Sequence, residues 1–367
     1  MLTHNAKNER TKRRYLAHLK EAKRHSEATV DAVAKALARF EVDTKFRDFR
    51  TFHFEQAIAF KRHLAEQDSQ VTGEKLSKAT LHATFAHLKR FFQWLSREPG
   101  YKSRVRYSDA EYFNLSDKDT RVATARREKV FPTVEQVKHV IARMPTGSDI
   151  ELRNRALVAF ILLTGARDSA VASMSLKHVD LDAGCVHQDA RDVKTKFSKT
   201  FITYFFPVGD EIREIVADWV IYLGQTKLWG NDDPLFPTTN VVVGAGRQFE
   251  VAGLKREHWR RAAPIRAIFR DAFQAAGIRY FNPHSLRDTL GHLGETLCET
   301  AEDFKAWSQN LGHEGVLTTF YSYGVVGSRR QGEIIRSLAE PGRSERSDID
   351  EIARAVAREL RSSGPIG

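Results

Sequence analysis

Apolar residues recur at three- and four-residue spacing through residues 10–40, where Tyr15, Leu16 and Leu19 are followed by Val30, Val33 and Leu37 with charges between them. That spacing predicts helix. A second stripe runs near Phe54 to Leu64. A third opens at Ser77-Lys78-Ala79-Thr80 and puts Leu81, Phe85, Leu88, Phe92 and Leu95 on one face, with Pro99-Gly100 ending it. The first part of the chain is therefore expected to be all-helical. From Leu115 to Lys129 the pattern gives way to LSDKDTRVATARREK, polar and aperiodic, which reads as a linker.

Periodicity resumes beyond it. Thr133 and Gln136 have the spacing of a capping box, so a new helix and a second domain are expected near residue 130. Glu151 to Leu163 reads as a buried helix. Cys185 to Pro207 alternates in β-branched and aromatic residues, which predicts a small β-hairpin or three-stranded sheet. Helices are expected at 210–223, 254–276, 284–297, 301–310 and 314–321, with Gly277 closing the second of these. A short helix after Gln331 gives way to the tether PGRSERS, and Asp348 to Leu360 reads as a last amphipathic helix. The fold class is mainly α with a small antiparallel sheet in the second domain.

Charge changes this picture from architecture to partner. The 367 residues carry a net +11, and the whole excess lies in residues 1–130, the remainder summing to zero. A basic helical module joined to a balanced one suits a polyanion such as DNA. The alternative is an ordinary solvated lysine-rich surface. Candidate DNA contacts in the basic module are Arg13 and Arg14 and, off the apolar stripe of the third helix, His87, Lys89 and Arg90. The longest apolar run, Ala156 to Leu163, is far too short for a membrane helix. Residues 1–14 hold charge without an apolar core, so no secretory leader is expected. Cys185 and Cys298 have no metal-ligand spacing and are expected as buried thiols in the cytoplasm.

Four pieces carry candidate chemistry. Thr164-Gly165-Ala166-Arg167 places a guanidinium directly after an apolar helix and a turn, where its planar fork matches two phosphate oxygens. Asn282-Pro283-His284-Ser285-Leu286-Arg287 starts a helix with Asn as N-cap and Pro at N1, putting His284 and Arg287 on one face of an anion-attracting first turn. Leu311-Gly312-His313 precedes Thr318-Thr319-Phe320-Tyr321-Ser322-Tyr323-Gly324, so a phenol near a histidine is available as a nucleophile. Lys194-Thr195-Lys196-Phe197-Ser198-Lys199 offers an ammonium at a hairpin turn. Each has a plainer reading: a surface ion-pair arginine, a structural histidine, a core tyrosine, a solvated turn.

Taken together, the order Arg, Lys, His-x-x-Arg, Gly-His, Tyr resembles the catalytic domain of the tyrosine recombinases, or phage-type integrases, and TLHATFAHLKRFFQWLSREPGY resembles the end of their helical core-binding domain. The resemblance covers about residues 10–335. It implies a two-domain C-shaped DNA clamp: residues 1–114 as the helical DNA-binding domain, 115–130 as linker, 131–340 as catalytic domain and 341–367 as a C-terminal tether and helix. It implies that Tyr323 attacks a DNA phosphate to give a 3′-phosphotyrosyl link without ATP or metal, so no cofactor is expected. Arg167 and Arg287 would clamp the phosphate, Lys196 would protonate the leaving oxygen, and His284 and His313 would assist. Lys194 is the alternative acid and Tyr321 the alternative nucleophile, because the family's usual spacing falls on Ser322. The resemblance also implies double-stranded DNA as partner, a homotetramer on DNA formed from free monomers or dimers, and no membrane. Helix signals starting near residue 10 give no expectation of a separate arm-binding domain. A type IB topoisomerase-like activity and a catalytically inactive DNA-binding relative are the competing functions.

Overall fold

The computed structural model describes residues 4–69, 73–125, 129–195, 199–243 and 248–313. Lys196, Tyr321, Ser322, Tyr323, the helix expected at 314–321 and the C-terminal tether and helix lie outside the described residues. The chain divides into two compact units, Met1–Arg126 and Arg127–Gly367.

The first unit is helical: α1 (Ala6–Ala17), α2 (Glu27–Asp43), α3 (Phe54–Glu66), α4 (Lys78–Leu95) and α5 (Asp117–Thr124). The expected continuous helix over 10–40 is two helices. Arg24 takes a left-handed conformation (φ 52°) and Ser26 caps α2 by accepting from the Thr29 amide, which ends one helix and starts another. The stripe predicted on α4 is buried, and aromatic rings fill the space it faces. Phe52 stacks on Phe92 at 3.6 Å, and Phe40 meets Phe60 and Phe92 edge-on at 5.2 Å. Tyr15, 4% exposed, is pushed up to about 12 by burial and stays protonated. A Lys12–Glu41 ion pair closes the side between α1 and α2. The stretch read as a linker is partly structured: Ser116 caps α5, and Asp119 on α5 pairs with Lys78 of α4 at 2.9 Å. No residue of α5 is buried, which is why no apolar period announced it.

In the second unit, α6 (Val134–Arg143) begins with the expected Thr133/Gln136 capping box. Helix α7 (Asp149–Thr164) is the central element. Every residue from Ala156 to Thr164 is buried, so its lack of an apolar stripe reflects core on all sides. Gly165 ends it in the left-handed region (φ 60°), and the four-residue α8 (Asp168–Val171) follows.

The expected sheet is three-stranded and antiparallel: β1 (Val179–Asp180), β2 (Cys185–Gln188) and β3 (Phe201–Tyr204). Val186 pairs with Val179 on one side and Thr203 on the other. After α9 (Asp210–Ile221) comes a second hairpin that the sequence reading lacked, β4 (Thr238–Val243) with β5 (Phe249–Lys255). The helix expected over 254–276 is only α10 (Ala263–Ala275), because Pro264 marks its first turn and Leu254 belongs to β5. Gly277 does close it, at φ 70°. Helices α11 (Ser285–Leu297) and α12 (Ala301–Asn310) complete the described residues. Cys185 is buried as expected, but Cys298 is only partly buried, sitting at the end of α11.

Candidate phosphate site

Arg287 is the centre of the site. It is 4% exposed, and its Nη1 donates to the Gly165 carbonyl at 2.6 Å. Its Nη2 donates to the Leu311 carbonyl and to His313 Nε2, the latter at 3.1 Å. One guanidinium therefore ties together the glycine turn before Arg167, the His-x-x-Arg helix and the Gly-His motif, three pieces far apart in sequence. Since Arg287 can only donate, His313 Nε2 accepts, which puts the ring proton on Nδ1.

Local backbone chemistry holds each piece. Gly165 is packed so closely that a Cβ there would lie 3.0 Å from Leu290 and Leu311 side-chain carbons. The end of α12 is a Schellman turn: Gly312 (φ 70°) donates to the Gln309 carbonyl and His313 to that of Ser308, so the αL glycine aims the histidine. A Cβ on Gly312 would stand 2.8 Å from the Phe201 ring. Glycine is required there both for φ and for space.

His284 departs from expectation in its local geometry. Helix α11 starts at Ser285, two residues after the predicted N1 proline, and residues 283–284 form a turn. The N-cap is His284 rather than Asn282 and has no side-chain cap; Asn282 instead closes the preceding turn, its Oδ1 accepting from the His284 amide at 3.0 Å. The imidazole is reachable by solvent yet held below its ordinary value, first by the protein packed around it and then by the positive charges of Arg287, Lys129 and Arg167, with Asp288 opposing them. At neutral pH it is an uncharged donor or acceptor within the field of Arg167. Arg167 itself is half-buried at the N-cap of α8.

Lys194 is attached to α8 and to the turn that follows it. Ser173 Oγ accepts from the Lys194 amide at 2.8 Å, and Ser169 Oγ donates to the Lys194 carbonyl at 3.4 Å. The exposed Lys194 ammonium donates to the Arg260 carbonyl at 3.4 Å. Lys196, two residues on, lies outside the described residues.

Sequence reading missed four contributors. Asn310 exchanges hydrogen bonds with the Tyr204 backbone (2.7 and 2.9 Å) and fastens the sheet to the turn that presents His313. Lys129 donates to buried Asp288 at 3.0 Å, and Thr289 donates to the Pro132 carbonyl at 2.6 Å, so the entry to this unit is pinned to α11. Only the residue next to the His-x-x-Arg motif could have been suspected from spacing. The others are set by tertiary contact.

In the first unit, Arg13 and Arg90 are exposed. Arg14 pairs with Glu98 at 2.7 Å and lies over the Trp94 ring, and Lys89 donates to Asn114 at 3.0 Å. His87 is held below its ordinary value by burial and then by Arg90 and His25.

A cationic cluster of this kind, built from helix ends and a glycine turn, suits the charge that develops in phosphoryl transfer. Residues 131–326 match the phage integrase family. The chain belongs to the phage integrase family and is a tyrosine-type site-specific recombinase. It is 25% identical over 310 residues to the tyrosine recombinase XerC of Lactobacillus delbrueckii subsp. bulgaricus, covering 83% of this chain and 90% of that protein. It is 25% identical over 236 residues to the tyrosine recombinase XerD of Neisseria meningitidis, covering 63% and 67% respectively. The fold is similar to that of a lambda integrase dimer bound to a COC′ core site (TM-score 0.59, 13% identity, 87% of this chain and 96% of that one). It is also similar to XerH site-specific recombinase bound to a palindromic difH substrate (TM-score 0.55, 19% identity, 88% and 83%). Among the described residues no helix is long and apolar enough to cross a membrane.

Proposed function

We propose that this recombinase cuts and rejoins double-stranded DNA with Tyr323 as nucleophile. The phenol gives up its proton, its oxygen bonds to the scissile phosphorus, and the bond to the 5′-oxygen breaks, with Lys196 supplying the proton that oxygen needs. A 5′-hydroxyl from another strand reverses the step and completes exchange. Arg167 and Arg287 stabilise the growing charge on the non-bridging oxygens, and His284 and His313 hydrogen-bond the phosphate and assist proton movement. The observation that carries this reading is Arg287, whose contacts with the Gly165 carbonyl and His313 draw the separated motifs into one place.

The basic first unit adds salt-dependent affinity for the duplex through exposed cations such as Arg13 and Arg90. The working assembly is a homotetramer on two DNA sites, formed from free monomers or dimers in the cytoplasm, with the C-terminal segment docking on a neighbouring protomer. Removing residues 341–367 then weakens pairing of two sites while sparing binding to one.

The decisive experiment incubates wild-type, Tyr323→Phe and Tyr321→Phe proteins with a nicked suicide substrate and looks for the covalent adduct. Loss of adduct in Tyr323→Phe alone is expected. An adduct that survives Tyr323→Phe and disappears in Tyr321→Phe moves the nucleophile. An adduct absent from the wild type leaves the chain a DNA binder, and supercoil relaxation without dependence on two sites makes it topoisomerase-like.

A further inference from the structure

The three-stranded sheet has a second cluster of chemical groups, on the face opposite the one that meets α12. Asp180 and Cys185 are cross-strand partners in the β1–β2 hairpin, so their side chains share a face. His187, two residues along β2, shares it too, while Val186 and Thr203 point to the buried side. The carboxylate, thiol and imidazole ligand atoms all lie within 4.8 Å of one another. Cys185 Sγ and His187 Nε2 are 3.7 Å apart.

We propose that Asp180, Cys185 and His187 form a divalent transition-metal site, and that zinc is the metal its donors suit. Zn–S and Zn–N bonds of about 2.3 and 2.0 Å at a tetrahedral angle put sulfur and nitrogen about 3.5 Å apart. The observed separation is within a few tenths of an ångström of that edge. A soft sulfur and an imidazole select zinc over magnesium or calcium. The carboxylate is already oriented, since Asp180 Oδ1 accepts from the Ala183 amide at 2.8 Å, the kind of outer hydrogen bond that steadies a metal ligand. Three protein donors leave the fourth position to water, on the side where His187 is exposed.

Binding is balanced simply. The Cys185 S–H bond breaks, the metal–sulfur bond forms, and the proton passes to solvent. None of the three residues belongs to the proposed strand-cleavage machinery. The site instead joins β1 to β2, and β2 leads toward Lys194. Since β1 has only two residues, a metal here adds a strong cross-link to a short pairing.

The test titrates metal-free full-length protein with cobalt(II), followed by its sulfur-to-metal absorption, and then displaces cobalt with zinc. One cobalt per chain, a thiolate band bleached by zinc, and one proton released per metal are expected. His187→Gln and Asp180→Asn each weaken binding at least about tenfold. Asn at 180 can keep the Ala183 hydrogen bond, and residue 187 is exposed, so both variants fold. Zinc raises the melting temperature of the wild type by several degrees and that of His187→Gln by less at the same zinc concentration. Cys298→Ala retains the band. Absence of the band, or a band that persists in Cys185→Ala or is lost with Cys298, overturns the proposal.

Discussion

Replacing Arg287 by lysine keeps the charge and removes the fork, which separates two roles the residue has been given. The guanidinium satisfies the Gly165 and Leu311 carbonyls from different nitrogens and also reaches His313. A lysine ammonium at the same position can serve one of those carbonyls at best. An abandoned buried acceptor costs about 1–3 kcal/mol. For a unit of this size each kcal/mol lowers the melting temperature by about 2–4 °C, so a fall of roughly 2–12 °C is expected. Tryptophan fluorescence is a suitable probe, because Trp219, Trp229, Trp259 and Trp307 lie in the second unit and only Trp94 in the first. Adduct formation on a suicide substrate should fall by about 10²–10³-fold, the usual cost of one lost charge-stabilising donor. Were Arg287 only a charge for the phosphate, lysine would leave folding intact. An unchanged melting temperature in Arg287→Lys therefore refutes the claim that this arginine organises the site.

Other perturbations probe the neighbouring supports. Gly312→Ala forces a side chain into the left-handed region, at about 1–2 kcal/mol, and presses a methyl against the Phe201 ring, so adduct formation and the melting temperature should fall together. Asn310→Ala should cost about 1–3 kcal/mol by unfastening the sheet from α12, with cleavage reduced and DNA affinity preserved in a gel-shift assay. His178, His258 and His284 are each held below the ordinary histidine value, burial being the first cause. The unfolded chain protonates these rings more readily than the folded one, so stability is full above about pH 6.5 and declines as pH falls below it. Urea denaturation at several pH values should show that decline, and His284→Asn should flatten it. Arg13→Gln with Arg90→Gln should reduce the slope of log K against log salt by about 2, and an unchanged slope removes these residues from the DNA interface.

What the sequence revealed followed the strength of the local signal. The α4 stripe, the Thr133 capping box and the Gly277 stop are encoded within a turn or two of chain, and the structure has each of them. The β4–β5 hairpin was read partly as helix because its residues are exposed: Val243, Phe249 and Val251 face solvent, so no alternation of burial marks the strands. Helix α5 went unread for the related reason that it buries nothing and is held by a cap and the Lys78 ion pair. At the site, residue types were legible and their geometry was not. Nothing in the local sequence says that Arg287 reaches the Gly165 carbonyl, or that Asn310 rather than a neighbour ties the sheet to the histidine turn.

That difference bears on how the neutral unit manages an anionic substrate. Residues 131–367 sum to zero charge, so attraction for DNA there cannot come from excess cations. It has to come from placement. Asp288 neutralises Lys129, Asp168 pairs with Arg266 at 2.8 Å, and Asp233 holds Arg256. Arg287 is oriented by the Gly165 and Leu311 carbonyls and by the His313 imidazole. Carbonyls hold a guanidinium in position through their dipoles and bring no formal charge of their own. The glycines at 165 and 312 are what bring those carbonyls and the histidine close enough to hold the guanidinium.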